Sequence, residues 1–326
     1  MAAILRLRDD DPLPASLRGG VVAIGNFDGV HRGQQAVLAE ARRIAGGTGA
    51  PALAMTFDPH PRKVFRPDVP LFVLTPPADK ARLLASLGFT AMVEKSFDRD
   101  FAALSAEEFV TEILVRRLGI RHAVTGFDFH FGRMRGGGPA FLMAAGERLG
   151  FQVTLVDAFR DENGEVISSS RIRVLLEDGE VVAAAGLLGY RYTVGGVVQG
   201  GRKLGRTIGF PTANIRLPDD VALHHGIYAV RFRRPDGTLH DGVASFGLRP
   251  TVEAAGVPLL ETYLFDFSGD LYGEACQVSF FGFLRGEEKF ASLDALTAQI
   301  GRDAEEARAL MSGVAPLSRL DGEVCF

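Results

Sequence analysis

The stretch of sequence that decides the fold of the first half is Val21–Gln34, which reads VVAIGNFDGVHRGQ. Its first four residues form a continuous apolar run that predicts a buried strand, and Gln35–Ala45 has apolar residues at helical spacing. A glycine-rich turn between a strand and a helix lets the backbone approach a phosphate, and the helix start supplies unpaired N–H groups. Because the turn lacks the G-x-G-x-x-G spacing of dinucleotide-binding folds, a plain structural turn with a surface histidine remains an alternative.

The first half of the chain alternates short apolar runs with helical patterns. Four more strands are predicted at Ala52–Phe57, Ala91–Val93, Ala123–Thr125 and Gln152–Val156. Helices are predicted between them, most clearly over residues 106–118 and 139–149. Nearly continuous apolar strands in alternation with helices favour an α/β fold with a parallel sheet that is covered on both faces.

The pattern changes after about Leu188. Short segments rich in aromatic and β-branched residues follow, separated by Gly, Pro and Asp, and they predict strands over residues 192–198, 227–232, 243–246, 260–265 and 277–283. This pattern favours an antiparallel β-barrel, followed by a terminal helix with apolar residues at spacings of three and four from Leu293 to Ala307. We expect two domains, residues 1–186 and 187–326, with the boundary within 183–190.

The composition of the 326-residue chain is that of an ordinary globular protein, with 47% hydrophobic and 23% charged residues. Its formal net charge of −4 gives no overall basic field, so we expect no nucleic-acid partner. No apolar run approaches the ~20 residues of a membrane span, and the acidic run Asp9–Asp11 is unlike a secretory signal. Two cysteines are too few for a disulfide framework or a zinc site. We expect a cytoplasmic protein that is a monomer or a weak homo-oligomer.

Three more polar motifs follow predicted strands or precede a predicted helix. Pro59-His60-Pro61 comes directly after Ala52–Phe57, and Asp128 follows the strand at 123–125. Open α/β sheets bind ligands at such carboxyl ends of strands. Ser168–Ser170, together with Arg173, offers hydroxyls and a guanidinium at a helix start. Interpreted singly, each motif is structural: a rigid proline turn, an aromatic core strand and a helix N-cap.

Taken together and in this order, these motifs resemble the adenylyltransferase module of bacterial bifunctional riboflavin kinase/FAD synthetases, across residues 20–185. That family carries a G-x-F-D-G-x-H-x-G-H motif, and an I-S-S-S/T-x-x-R segment where class I nucleotidyl transferases have a KMSKS loop. The resemblance implies a Rossmann-like nucleotidyltransferase domain in which His31 is catalytic. It implies that the ATP-binding residues are Gly25, Asn26, Phe27, Asp28, Gly33, Gln34, Ser168, Ser169, Ser170 and Arg173. It implies that the FMN-binding residues are Pro59, His60, Pro61 and Asp128.

One position departs from the family motif, because its second histidine is Gln34 in this chain. A glutamine amide still donates a hydrogen bond but carries no positive charge. Loss of one transition-state donor costs roughly 10²–10³ in rate, and a neutral substitute costs less. The departure leaves open an alternative function, a riboflavin kinase whose adenylyltransferase activity is weak or lost.

The second half contains Gly200–Asn214, a segment dense in glycine and basic residues that ends in Pro211-Thr212-Ala213-Asn214. It is not a Walker A loop, because no Lys-Ser/Thr pair follows its glycines at the required spacing. The Thr212 hydroxyl and the Asn214 amide lie two residues apart, so on an extended segment they share a face. Neutral oxygens of this kind suit Mg²⁺, which keeps waters and substrate phosphates as its other ligands. A basic surface hairpin is the alternative.

Across about residues 188–310, this half resembles the riboflavin kinase domain, and Gly-Phe-Pro-Thr-Ala-Asn is the most specific shared motif. By residue type alone, Glu261 is a strand glutamate paired with an arginine, because an unpaired carboxylate is costly among apolar neighbours. The resemblance instead makes Glu261 the general base and assigns Thr212 and Asn214 to Mg²⁺. It implies that ATP or the flavin contacts Gly201, Lys203, Gly205, Pro211 and Arg285.

The two halves together predict a bifunctional enzyme, which makes FMN from riboflavin and ATP, and then FAD and pyrophosphate from FMN and a second ATP. Mg²⁺ is the expected cofactor and ATP the co-substrate, with no membrane partner. A flavin-binding or regulatory protein without turnover is a further alternative, although mere binding needs neither a base nor a metal pair. The last alternative is an unrelated nucleotidyl transferase acting on another phosphate ester, which the kinase-like second half disfavours.

Overall fold

The structure is a computed structural model of the chain, and it describes residues 4–9, 11–200, 209–249 and 256–326. The chain divides into two compact units, Met1–Ser169 and Ser170–Phe326. This division lies before the boundary at 186/187 that the sequence predicts, because the intervening residues pack within the second unit. The backbone N–H of His224, for example, donates to the carbonyl of Leu176 (2.9 Å). Where the two functions divide along the chain stays a prediction.

The first unit contains the parallel sheet that the sequence predicts, and all five of its strand pairings are parallel. Its six strands are β1 (Leu5–Leu7), β2 (Val21–Ile24), β3 (Ala52–Asp58), β4 (Ala91–Ser96), β5 (His122–Gly126) and β6 (Gln152–Val156). They lie in the order β1-β4-β3-β2-β5-β6. Since β3 lies on one side of β2 and β5 on the other, the strand order reverses at β2. In open α/β sheets, ligands bind in the crevice at such a reversal.

Helices connect these strands. They are α1 (Arg32–Thr48), α2 (Pro61–Phe65), α3 (Pro77–Ser86), α4 (Arg99–Ala103), α5 (Ala106–Glu108), which continues as a π-helical segment over Phe109–Arg117, and α6 (Pro139–Leu149). The buried face of α1 consists of Val37, Leu38, Ala41 and Ala45, and the helix ends at Gly49 in the left-handed conformation (φ 68°). Only glycine adopts that conformation without steric cost, which explains where α1 ends.

The second unit contains the antiparallel barrel that the sequence predicts. Its strands are β7 (Thr193–Gln199), β8 (Thr212–Arg216), β9 (Gly226–Arg233), β10 (Leu239–Arg249), β11 (Val257–Leu264) and β12 (Ala275–Arg285). They close in the order β10-β11-β8-β7-β12-β9. On β11 every second residue is buried, from Pro258 to Leu264, so the alternate positions, which include Glu261, face away from the barrel interior.

Among the described residues, four further helices follow: α7 (Ser169–Glu177), α8 (Val181–Leu188), α9 (Leu293–Ser312) and α10 (Arg319–Cys325). The terminal helix predicted from Leu293 is α9, which packs on β9, β10 and β12. Short α10 is held by a buried ion pair between Asp321 and Arg191. Within the described ranges, none of the helices combines the length and apolar character needed to cross a bilayer.

Candidate active sites

The turn between β2 and α1, residues 25–31, is held in an unusual backbone conformation by its neighbours. Phe27 (φ 45°) and Val30 (φ 41°) both have positive φ, which is costly for a β-branched residue such as Val30. Thr75 compensates: its N–H donates to Asp28 Oδ1 (3.1 Å), and its hydroxyl donates to the Phe27 carbonyl (3.1 Å) and accepts from Gly29 N–H (2.9 Å). Asp28, a predicted ATP-binding residue, is therefore a buried support of the turn itself.

His31 and Gln34 form a reciprocal cap at the start of α1. The Gln34 N–H donates to His31 Nδ1 (3.3 Å), and the His31 N–H donates to Gln34 Oε1 (3.2 Å). Burial lowers the pKa of His31 from 6.5 to about 4, so the ring is neutral at physiological pH. Since Nδ1 accepts a hydrogen bond, the single ring proton lies on Nε2. The site thus contains an uncharged imidazole N–H donor at a helix start.

A cavity of about 950 Å³ opens beside this turn. His31, Gly33 and Gln34 line one part of it, together with Gly25 and Asn26. The other walls are mainly phenylalanines: Phe27, Phe57, Phe65, Phe97, Phe101, Phe109, Phe127, Phe129, Phe131 and Phe159. Several of these rings pack on one another with centroids 5.0–6.1 Å apart. The cavity therefore combines hydrogen-bond donors at a helix start with a broad aromatic wall.

Only two of the four residues predicted to bind FMN line the cavity. Pro61 and Asp128 line the cavity, whereas Pro59 and His60 are not among its lining residues. His60 caps α2, because its Nδ1 accepts from the Arg62 N–H (3.2 Å). Sequence reasoning missed the phenylalanine wall, although a signal existed: the chain has 24 phenylalanines and no tryptophan. By residue type the aromatic run at 127–131 favours a core strand, whereas in the structure it lies in the loop after β5.

The serine segment reaches the same turn. The Ser169 hydroxyl donates to the carbonyl of Asp28 (2.7 Å), and Ser169 is the first residue of α7. Ile167 also lies close, since its carbonyl oxygen is 3.7 Å from the position that a Cβ at Gly33 would occupy. Ser168 is half-buried before the helix. Further along α7, Ser170 is exposed and Arg173 is buried.

Lys80 is a buried residue of this site that sequence reasoning did not identify. It lies on α3, and its ammonium donates to the carbonyl of Asn26 (2.7 Å) and to Thr56 Oγ1 (2.9 Å). The Thr56 hydroxyl donates to the same carbonyl (3.0 Å). Burial lowers the pKa of Lys80, and the nearby carboxylates of Asp28, Asp58 and Glu94 oppose that shift. In the sequence it is indistinguishable from a solvated lysine of an amphipathic helix.

In the second unit, β8 and β11 bring together the polar residues that the sequence singles out. In their antiparallel register Asn214 lies opposite Glu261, and Thr212 lies opposite Tyr263. Directly opposed residues project from the same face of a sheet, so Thr212, Asn214 and Glu261 share one face. Asn214 is buried, and among the described residues no group donates to its Oδ1. An amide oxygen buried in this way has unused capacity for a ligand.

Five other residues of this unit are predicted to contact ATP or the flavin. Gly201, Lys203 and Gly205 lie outside the described residues, and Pro211 is exposed directly before β8. Arg285 forms a two-pronged ion pair with Asp303 on α9, at 2.8 and 2.7 Å, which raises its pKa. Its guanidinium thus already connects β12 to α9. A role of Arg285 in ligand binding stays a prediction.

Comparison with known proteins gives consistent results for both units. The family model for FAD synthetase matches residues 13–171, and the family model for riboflavin kinase matches residues 188–311. The bifunctional riboflavin kinase/FMN adenylyltransferase of Listeria monocytogenes is 41% identical over 296 residues, which cover 90% of this chain and 92% of the relative. The protein of the same name from Escherichia coli K12 is 41% identical, with coverages of 90% and 93%.

One solved structure is similar over nearly the whole chain. It is described as a macrolide-efflux protein from Streptococcus pneumoniae, and it has a TM-score of 0.82 and 31% sequence identity. The match covers 94% of this chain and 99% of that one. Its description differs from the names of the sequence relatives, although the fold is shared.

Proposed function

This chain belongs to the family of bifunctional riboflavin kinases/FMN adenylyltransferases, and from this premise we propose how its residues perform the two reactions. It phosphorylates riboflavin with ATP to FMN, and it transfers the adenylyl group of a second ATP to FMN to give FAD and pyrophosphate. The observation that carries this function is the identity of about 41% across both units to relatives of that name. No observation favours the alternative in which only the kinase activity remains.

We assign riboflavin phosphorylation to the face shared by β8 and β11. Attack on the γ-phosphorus of ATP requires removal of a proton from a neutral ribityl hydroxyl, and a positioned carboxylate accepts such a proton. Glu261 is the carboxylate on this face, half-buried and opposite Asn214. Among the described residues on this face, Thr212, Ser245 and Tyr263 offer hydroxyls and Asn214 offers an amide. Glu261 is therefore the residue suited to act as general base.

The same face fits Mg²⁺. The buried Asn214 Oδ1 has no donor among the described residues, and the Thr212 hydroxyl lies on the same side of the strand. Among the described residues, no group of three or more His, Cys, Asp or Glu side chains forms a metal site. A few neutral protein oxygens suit Mg²⁺, which prefers to retain waters and substrate phosphates. Asn214 Oδ1 and the Thr212 hydroxyl would hold the ion, which would supply positive charge to the phosphates of ATP.

We assign adenylyl transfer to the cavity beside the β2–α1 turn. The nucleophile is the phosphate of FMN, and because a phosphate monoester has a second pKa near ~6, it is already ionised at neutral pH. No general base is needed, so the protein contributes donors and orientation. The Nε2–H of His31 and the N–H groups at the start of α1 supply donors for the charge on the α-phosphate and the departing pyrophosphate. The Ser169 hydroxyl supports the turn from its contact with Asp28.

The phenylalanine wall of the cavity is the proposed binding surface for the flavin ring. A fused, planar ring buries most area against aromatic side chains, which stack with centroids 4.5–7 Å apart. Pro61 and Asp128 belong to the same lining. Pro59 and His60 contribute by fixing the turn before α2. We also propose a cytoplasmic location, since ATP is the co-substrate of both steps and both cysteines are free and buried.

One incubation tests the function. Riboflavin, ATP and Mg²⁺ are incubated with the protein, and riboflavin, FMN and FAD are separated by chromatography. Successive appearance of FMN and FAD, with pyrophosphate formed alongside FAD, is expected. FMN without FAD, even when FMN is supplied directly, contradicts the adenylyltransferase half. Failure to consume riboflavin contradicts the kinase half.

A further inference from the structure

The carbonyl of Asn26 is held from the interior of the protein by two donors. Lys80 Nζ lies 2.7 Å from it and Thr56 Oγ1 lies 3.0 Å from it. The carbonyl of Asn26 and the N–H of Phe27 belong to one planar trans peptide, so they point in opposite directions. The interior contacts that fix the carbonyl therefore also fix the direction of the Phe27 N–H, which is away from Lys80.

The Phe27 N–H is left available for a ligand. Within the described residues it donates to no acceptor, although its own carbonyl accepts from Thr75. Asn26 and Phe27 line the same cavity as His31. Buried backbone N–H groups almost always have a partner, so one that lacks a partner at the wall of a binding cavity is suited to a substrate oxygen.

The position of Lys80 is costly in itself. Its side chain is buried, and its two hydrogen-bond acceptors are a carbonyl and a hydroxyl rather than a carboxylate. The carboxylates that oppose the effect of burial come from three elements: Asp28 in the turn, Asp58 at the end of β3 and Glu94 on β4. Two of these have other partners, because Asp28 accepts from Thr75 and Glu94 pairs with Arg6. A cation is seldom buried without a close anion, so a purely structural role explains this arrangement poorly.

We propose that Lys80 is a positioning residue for adenylyl transfer, which orients the Asn26–Phe27 peptide so that the Phe27 N–H meets an oxygen of the α-phosphate as negative charge develops there. Lys80 itself does not touch the substrate. The inference rests on the proposed assignment of adenylyl transfer to this cavity. The α-phosphate would then have two donors, the backbone N–H of Phe27 and the Nε2–H of His31.

The test compares Lys80→Met with Lys95→Met in the full-length protein. Methionine keeps the length of the side chain without its charge, and Lys95 is a matched control that pairs with Asp9 in the same unit (2.6 Å). For FMN conversion to FAD, Lys80→Met should lower kcat by about 10²-fold with little change in the KM for FMN, which is the usual effect of losing one oxyanion donor. Lys95→Met should change kcat less than threefold.

A sulfur substitution in the substrate separates positioning from general destabilisation. Sulfur accepts hydrogen bonds weakly, so one of the two α-thio diastereomers of ATP should react slowly with the wild type. In Lys80→Met the difference in reaction rate between ATP and that diastereomer should largely disappear, because the hydrogen bond from the Phe27 N–H, which sulfur weakens, is already lost. A merely structural role would lower both rates in proportion and leave their ratio unchanged.

Thr56→Val keeps the test decisive if Lys80→Met does not fold. It removes the second donor to the Asn26 carbonyl, and it should reduce kcat and the thio effect in the same direction but less. Unchanged kcat or an unchanged thio effect in a folded variant overturns the inference while the wild type still makes FAD. Failure of both variants to fold assigns these residues to stability and also overturns it. A wild type that makes no FAD overturns the proposed function first.

Discussion

Replacing His31 by asparagine separates the two tasks that the structure gives to this side chain. The ring caps α1 through Nδ1, which accepts from the Gln34 N–H at 3.3 Å, and it also lines the cavity. Asparagine is a strong N-cap, so His31→Asn keeps an acceptor for the helix start and removes the Nε2–H donor. His31→Ala removes both. The pair of variants therefore distinguishes catalysis from stability.

The magnitudes differ enough to be resolved. Loss of one donor to developing charge costs about 10²–10³ in kcat, and we expect this in FAD formation by both variants. Loss of the cap costs about 1 kcal/mol of stability, so only His31→Ala should lower the melting temperature of its unit, by about 2–4 °C. FAD is measured by chromatography. Unfolding is followed by calorimetry, because the chain has no tryptophan. Riboflavin phosphorylation is the internal control and should not change.

The pH dependence of stability and of FAD formation tests whether His31 acts as a neutral donor. The pKa of His31 is lowered by burial from 6.5 to about 4. Between pH 6.5 and pH 4 the unfolded chain binds a proton at His31 that the folded chain does not bind. The free energy of unfolding is therefore unaffected by this group above pH 6.5, and it falls by roughly 3 kcal/mol on acidification to pH 4. The rate should show no His31 titration between pH ~6 and 8. An acid limb that disappears in His31→Asn refutes the neutral donor, and wild-type activity in His31→Asn refutes the donor role altogether.

Three further changes test other parts of the molecule. Gln34→His should raise the rate of pyrophosphate release during FAD formation by up to about tenfold near pH 6, because a hydrogen bond from a charged donor is roughly twice as strong as one from an amide. If the rate does not increase at any pH between ~6 and 8, this prediction is wrong. Glu261→Gln should lower FMN formation by about 10²–10⁴ and leave conversion of supplied FMN intact, and near-normal kinase activity removes Glu261 from the mechanism. Arg285→Met should lower the free energy of unfolding of the barrel unit by about 3 kcal/mol in calorimetry, because it leaves Asp303 buried without its cation. Adding Asp303→Leu should restore most of that stability. A change in KM without a change in stability contradicts this structural role.

The elements with strong local signals were predictable from the sequence. The buried run Val21–Ile24 and the apolar periodicity after it predict β2 and α1. The helix nevertheless begins at Arg32 rather than Gln35, because His31 and Gln34 cap it reciprocally, which apolar spacing does not reveal. Strand β1 was missed, since Leu5–Leu7 is short and has Arg6 at its centre. The partner of Arg6 is Glu94, which lies 88 residues further along the chain.

The candidate sites were predictable only as far as their motifs. The pairing of Asn214 with Glu261 depends on strand register between β8 and β11, and no local pattern contains that register. Lys80 contacts Asn26 across 54 residues of sequence, and nothing near it marks it as buried. Asp28 matches a binding motif but is turned inward to Thr75. Residue type and spacing thus indicate where a site lies, whereas the direction of each side chain is decided by contacts distant in sequence.

The reciprocal cap of His31 and Gln34 has a consequence for the entropy of binding. Both side chains are already fixed before any ligand arrives, each by a hydrogen bond to the backbone of the other. Ordering a free side chain at an interface costs about 0.5–1.5 kcal/mol, and here that ordering belongs to folding rather than to ligand association. A phosphate that reaches this turn therefore meets a preorganised set of donors, and little conformational freedom is left for it to remove.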